Sequence, residues 1–379
     1  MTNPVVMRML LFSTALLPAC LAQNVGPGKV IVHSKYGGQI FGWDIDQNGT
    51  EGILAESKTL SNGKLLAAVE TFSQTTGAIL QVLQQVESGD DFVAMGVVGN
   101  SIGLFEHEHV QGLYVVKRTF NTVNPLDGNK IDGAWTPPIG SQHIIMPGSV
   151  SRNQGNSDVA VFAYDNSDNF IPYVFSSNVG ANTFGTVVQI TDSLNFASVP
   201  PPIAFDNVTN QAILGGGDGC FGCFPVIGLV DTVTGQFSEF TGIGFGFVNG
   251  IAVDSADGVF CTTTEDDAHI EFYNLATEKG FKVELPGSGG NQIYSGADVE
   301  FDAVNQLFFV AQPVSSSASS GSSIYVYDPS GNLKETLNGF SFSNAFTVVP
   351  MHIALNPASR SGFVDGPNAG VSEIESFTY

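Results

Sequence analysis

Short runs in which every second residue is apolar recur along most of this chain, each closed by an acidic or amide residue and a turn. The clearest is residues 249–280, NGIAVDSADGVFCTTTEDDAHIEFYNLATEKG. It reads as a strand ending in Asp254, a tight turn, a second strand, an acidic turn, and a third strand ending in a polar turn. The apolar-x-apolar-Asp element returns as Ile203-Ala204-Phe205-Asp206, as Val299-Glu300-Phe301-Asp302 and, decayed, as Ile353-Ala354-Leu355-Asn356. The closing residues step by 48, 48 and 54, and the last step is lengthened by the serine-rich stretch 315–323. A fixed period of roughly 40–50 residues made of short strands is the mark of a β-propeller.

A second anchor marks third-strand ends: Val230-Asp231 with Gly235, Tyr273-Asn274 with Gly280, Tyr327-Asp328 with Gly331, and Tyr164-Asp165 with Asn169. In each, an Asp or Asn side chain caps the turn while Gly or Asn takes the positive-φ position. Trp43-Asp44 and the run ETFSQTTG ending at Gly77 read as worn copies of the same strand end. Residues 76–87 read as a strand through Ile79, Val82 and Val86. The fold expected is all-β, a propeller of seven four-stranded antiparallel blades, or of six. Such units bury their faces only against neighbours, so residues 23–379 form one domain.

Composition agrees with many short strands and turns: 379 residues, 44 Gly, 29 Phe and 13% charged. The formal charge is −23, and loss of a leader holding only Arg8 makes it −24. So acidic a chain repels phosphate backbones, which excludes nucleic acid as a partner, and its acidity favours solubility. Residues 7–22 pass from one basic residue through LLFSTALL to Cys20-Leu21-Ala22, a secretory signal ending at Ala22. The mature protein is expected to be secreted and monomeric, with no membrane segment. An alternative is a lipid anchor, since Leu17-Pro18-Ala19-Cys20 resembles a lipoprotein cleavage box that leaves Cys20 acylated. Two glycosylation sequons, at Asn48 and Asn207, fall at expected turns. Of the three cysteines left, Cys220 and Cys223 are expected to bridge within a loop, with a bridge from either to Cys261 as the alternative.

The unit at Asn249 resembles the repeat of NHL and SMP-30/gluconolactonase-like propellers, whose blades read Asn-Gly, three apolar residues and Asp. That resemblance is carried mainly by residues 199–340. It implies a lactonase-type hydrolase or a related cycloisomerase, with Asn249 as ligand of a divalent metal such as calcium in the central channel and Asp298 beside it. The rest of the ligand set is missing: Ala297 stands where an Asp is needed, and Ser34-Lys35-Tyr36 where an acid is needed. A hard cation asks for about six oxygens.

Titratable residues concentrate in two places, Glu106-His107-Glu108-His109 and Glu265-Asp266-Asp267 with His269. On a strand His107 and His109 share one face, and with Glu265, Asp267 and His269 they could build a metal or acid–base site if both loops met at one mouth. No Gly-x-Ser-x-Gly elbow is present, and Gly215–Gly217 has neither the helix nor the Lys of a phosphate cradle. The leading expectation is therefore a module binding a small molecule, glycan or protein on loops around the channel. The alternative is the lactonase-like enzyme, acting through a metal or a His/Glu pair.

Overall fold

The computed structural model describes residues 29–45, 50–87, 92–98, 101–108, 112–119, 134–135, 145–152, 158–165, 172–178, 183–190, 202–217, 224–264, 269–286, 298–312, 323–340, 352–368 and 371–379. All regular structure among them is strand. A first strand, β1 (Ile31–His33), belongs to no sheet with its neighbours in sequence. Then come β2 (Gln39–Ile45), β3 (Glu51–Thr59), β4 (Leu65–Ser73) and β5 (Ile79–Glu87), followed by β6 (Phe92–Val98), β7 (Ser101–Glu108), β8 (Gly112–Thr119) and β9 (Ala134–Trp135). The third and fourth sets are β10 (Ile145–Arg152), β11 (Asp158–Asp165), β12 (Pro172–Asn178) and β13 (Thr183–Gln189), and β14 (Ile203–Asp206), β15 (Gln211–Gly217), β16 (Pro225–Asp231) and β17 (Phe237–Thr241). The fifth and sixth are β18 (Val248–Asp254), β19 (Val259–Thr264), β20 (His269–Asn274) and β21 (Lys279–Glu284), and β22 (Asp298–Asp302), β23 (Leu307–Gln312), β24 (Ser323–Tyr327) and β25 (Leu333–Asn338). Last are β26 (Ile353–Asn356), β27 (Ser361–Asn368) and β28 (Val371–Thr378).

Each set of four is one antiparallel sheet in sequence order, while β26, β27 and β28 take β1 as their fourth strand. The first strands of successive sheets touch in turn, and β26 touches β2, so these strands line the inside of a closed ring. The fold is a β-propeller of four-stranded blades, with seven such sheets among the described residues. Closure is made by β1 against β28, with Val32 facing Ile374.

The core lies between blades. Phe272 and Cys261 of the fifth sheet pack with Phe301, Phe308 and Tyr327 of the sixth. Burial of large apolar side chains at roughly 25 cal/mol per Å² is what binds one sheet to the next.

The anchoring aspartates act as the sequence implies. Asp206, Asp254, Asp302 and Asn356 each end an inner strand. Each accepts an amide hydrogen from its own turn: from Val208 at 3.0 Å, Ala256 at 3.0 Å, Val304 at 2.8 Å and Ser359 at 3.3 Å. Four residues after each anchor the backbone turns left-handed, at Asn210, Gly258, Gln306 and Arg360. Residues 76–87 contain β5, as expected.

Three details of the repeat need correction. Trp43-Asp44 lies on β2, the first strand of its sheet, so it belongs with the inner anchors. Tyr164-Asp165 closes β11, a second strand. In the turn after Asn274 the positive φ falls on Glu278 and not on Gly280, which is already inside β21. Asn274 accepts from Thr277 N at 3.1 Å, and Gly280 then pairs with Tyr273 across the two strands.

Candidate functional site at the channel mouth

Antiparallel order gives the ring two different rims. In the fourth to seventh sheets one rim carries four-residue turns after each inner strand, and in the fourth to sixth it also carries the short turns after each third strand. At the other rim second strands end and third strands begin, and outer strands end and the next inner strands begin; the longest sequence separations fall there, such as 10 residues between β23 and β24 and 13 between β21 and β22, so it is the long-loop rim. Inner strands therefore start at the long-loop rim, and their first residues surround that mouth of the channel.

Two of those starts are charged. Asp298 opens β22, and His352 immediately precedes β26, the inner strand of the next blade. His352 Nδ1 lies 2.9 Å from Asp298 Oδ2. The same oxygen accepts Ile353 N at 3.0 Å, while Oδ1 accepts Val299 N at 2.9 Å. His352 N donates to Asp365 Oδ1, on β27 of its own blade. From the following blade, Trp43 sets its ring edge-on to the imidazole at 5.1 Å. The His352 side chain is thus fixed by three blades and still 43% exposed, whereas Asp298 is 19% exposed.

Desolvation alone would lower the His352 pKa. The hydrogen bond His352 donates to Asp298 and the negative charges of Asp298, Asp44 and Asp365 outweigh it and carry the pKa up to about 9. Burial has the opposite consequence at Asp365, whose carboxyl rises to about 6 against the pull of the His352 N–H and charge. At neutral pH the mouth therefore presents an imidazolium backed by carboxylates whose bonds point inward.

Asn249 sits on β18 at a bulge, since the pairing with β19 slips between Val248 and Gly250. A bulge re-aims a side chain at the end of a strand. The next residue, Gly250, runs so close to β22 that a Cβ there would come within 2.7 Å of Asp298 Cα. The structure thus brings Asn249 and Asp298 to neighbouring inner strands at one mouth. They do not fit a calcium cage: both Asp298 oxygens are engaged by His352 and by backbone amides, and no group of three or more His, Cys, Asp or Glu among the described residues is placed to hold a metal.

The other candidates are dispersed. His107 is near the end of β7, and His269 begins β20, half-buried. Both ends point to the long-loop rim, but they belong to the second and fifth sheets, which do not adjoin. His109, Glu265, Asp267, Cys220, Cys223 and Asn48 lie outside the described residues. Cys261 is a free, buried thiol, so no bridge to it forms. Asn207 lies in the turn after Asp206, on the short-turn rim, with its N–H 3.3 Å from Ser255 Oγ.

His352 and Asp365 were not singled out by sequence. The available signal was positional: His352 precedes Ile353 as Asp298 precedes Val299, one residue before the apolar anchor in each blade.

No protein-family model matches the sequence, and no curated protein matches it. Among solved structures, the chain is similar to U3-55K, with a TM-score of 0.60 and 9% identity over 92% of this chain and 98% of that one. It is similar to a chain of the Mitotic Checkpoint Complex, at 0.59 and 13% over 100% of both. It is also similar to the RRP9 WD40 repeats, at 0.59 and 10% over 92% and 96%. These likenesses establish the β-propeller fold; the narrower resemblance to NHL and SMP-30-like proteins rests on the sequence repeat alone.

Proposed function

We propose that the protein is a secreted binding module that takes a protein partner on its long-loop rim, around the mouth marked by His352 and Asp298. The β-propeller is typically a protein-interaction scaffold, and one similar propeller was solved within the Mitotic Checkpoint Complex. The observation that carries the reading is the inequality of the rims. The short-turn rim spends its polar side chains on capping its own backbone and exposes single valines, Val208, Val233 and Val304, whereas the long-loop rim holds the half-exposed His352 and the stacked, exposed aromatic pair Phe224 and Phe245, 5.5 Å apart. Exposed aromatics on loops set by a rigid ring are the residues binding surfaces use.

The test places a photo-crosslinking phenylalanine analogue at Phe245 on one rim and at Val304 on the other. Protein-sized adducts from position 245 alone support the reading, and equal yields from both rims sink it. Adducts removed by glycosidase, or none beside a small-molecule mass shift, would assign the rim to a glycan or small ligand instead.

A second reading, a lactonase-like hydrolase or cycloisomerase, has one observation in its favour. With Nδ1 committed to Asp298, the His352 Nε2–H is left as a proton donor at the mouth. Lactone turnover lost in His352→Gln would establish it, and no turnover by the wild type would remove it.

A further inference from the structure

We propose that Glu56 and Glu70 form a proton-operated latch on the loop 34–38, which joins the ring-closing strand β1 to the first blade: with one proton on the pair the loop is held, and with both carboxylates charged it is released. The reading is independent of what binds at the mouth. Glu56 on β3 stands opposite Ala68 on β4, so Glu70, two residues on, is its diagonal neighbour on the same face. Both are buried, at 1% and 0% exposure.

Between them they accept three amides of the loop. Glu56 takes Tyr36 N at 2.9 Å and Gly38 N at 2.7 Å, and Glu70 Oε2 takes Lys35 N at 2.8 Å. Gly38 is pressed so close that a Cβ would fall within 2.3 Å of Ser57 O, so the loop has no room to shift while the latch holds.

Glu70 Oε1 is buried with no donor facing it when both groups are carboxylates. A charged oxygen in that position is costly. One proton placed on Glu70 removes the charge and supplies a hydrogen bond to Glu56; its loss to solvent restores two like charges side by side. The other groups facing the pair offset little. Lys35 and Lys58 are exposed, with Lys58 Nζ bonded to Tyr36 O and Lys35 Nζ 5.5 Å from the Tyr36 ring, and the partner of Glu70 on β5 is the neutral Val82.

Burial, opposed by the Lys35 N–H and reinforced by the Glu56 charge, holds the Glu70 carboxyl up at about 7. A folded pKa above the ordinary 4.5 means the contribution to stability is complete below that value and is lost as pH rises through about 7. The loop is therefore tightest in mildly acidic solution.

The deciding experiment is amide hydrogen exchange at pH 5.5 and 8.5, corrected for intrinsic rates. In the wild type the peptide spanning residues 29–38 should exchange roughly thirtyfold faster at the higher pH, the factor by which a carboxyl raised from 4.5 to about 7 shifts the balance over that range, while peptides from β27 stay protected. Glu70→Gln and Glu56→Gln should each abolish the difference. Equal protection of residues 29–38 at both pH values in the wild type overturns the latch, and needs no variant to fold. Retention of the full difference in both variants overturns it as well.

Discussion

Asp302 shows how much one anchoring side chain does. It is buried, its Oδ1 accepts Val304 N at 2.8 Å and Asn305 N at 2.9 Å, and its Oδ2 takes the Tyr379 hydroxyl at 2.7 Å from the neighbouring blade. Asp302→Ala leaves those donors unpaired, and we expect a loss of about 2–3 kcal/mol in denaturant unfolding. At Cys261, burial first and then the nearby Glu271 charge push the thiol well up. A small alkylating reagent should therefore label Cys261 only after denaturation, as read by mass spectrometry. His352 gives a pH signature. Its folded pKa is raised, so its stabilisation is full below the ordinary 6.5 and lost as pH rises through about 9. Thermal melts of His352→Ala should fall below the wild type by several degrees at pH 6 and converge with it by pH 10.

At the scale of elements, close contact between inner strands is set by glycine at one position and backbone twist at another. Gly250 admits no side chain, because its Cβ would meet the backbone of Asp298 and Val299. Gly258 has open space around it and is needed only for its φ of +62°. Gly250→Ala should therefore cost roughly 3 kcal/mol by forcing two blades apart, and Gly258→Ala about 1 kcal/mol. Thermal unfolding of the pair measures the difference.

The same scale explains what was legible in the sequence. The apolar-x-apolar-Asp pattern was readable because one geometry, a capped four-residue turn, demands Asp or Asn at its start wherever it recurs. The positive-φ position was not, because Asn210, Gly258, Gln306 and Arg360 all occupy it, so no single residue type signals the turn. Trp43-Asp44 misled for a related reason. Inner and third strands both end in an apolar residue and an acid, and only sheet order tells them apart.

For the whole molecule, the site was less readable than the fold because its members are far apart in sequence. His352 and Asp298 are 54 positions apart, and Trp43 reaches them only because β26 meets β2 when the ring shuts. Isolated pairs such as His107 with His109 are conspicuous in a string of letters, while this triple exists only across three blades. The closing contacts should also govern cooperativity. Beyond the β1–β28 pairing, Val30 N donates to Ser376 Oγ at 2.8 Å and Lys29 pairs with the buried Glu375. Glu375→Ala removes this ion pair while Lys29 keeps its bond to Gly339 O at 3.0 Å, and we expect it to lower the melting temperature of every blade together, in a single calorimetric transition.

That interlock has an implication for biosynthesis. Strand β1 precedes its partner β28 by more than 300 residues, so it must stay unpaired while all the blades between them are made. Until β28 arrives, β1 and the open side of the β26–β27 pair are bare strand edges, prone to joining the wrong neighbour. A cell making this protein therefore has to shelter an unfinished circle, and slowing translation ahead of β28 should raise the fraction that aggregates.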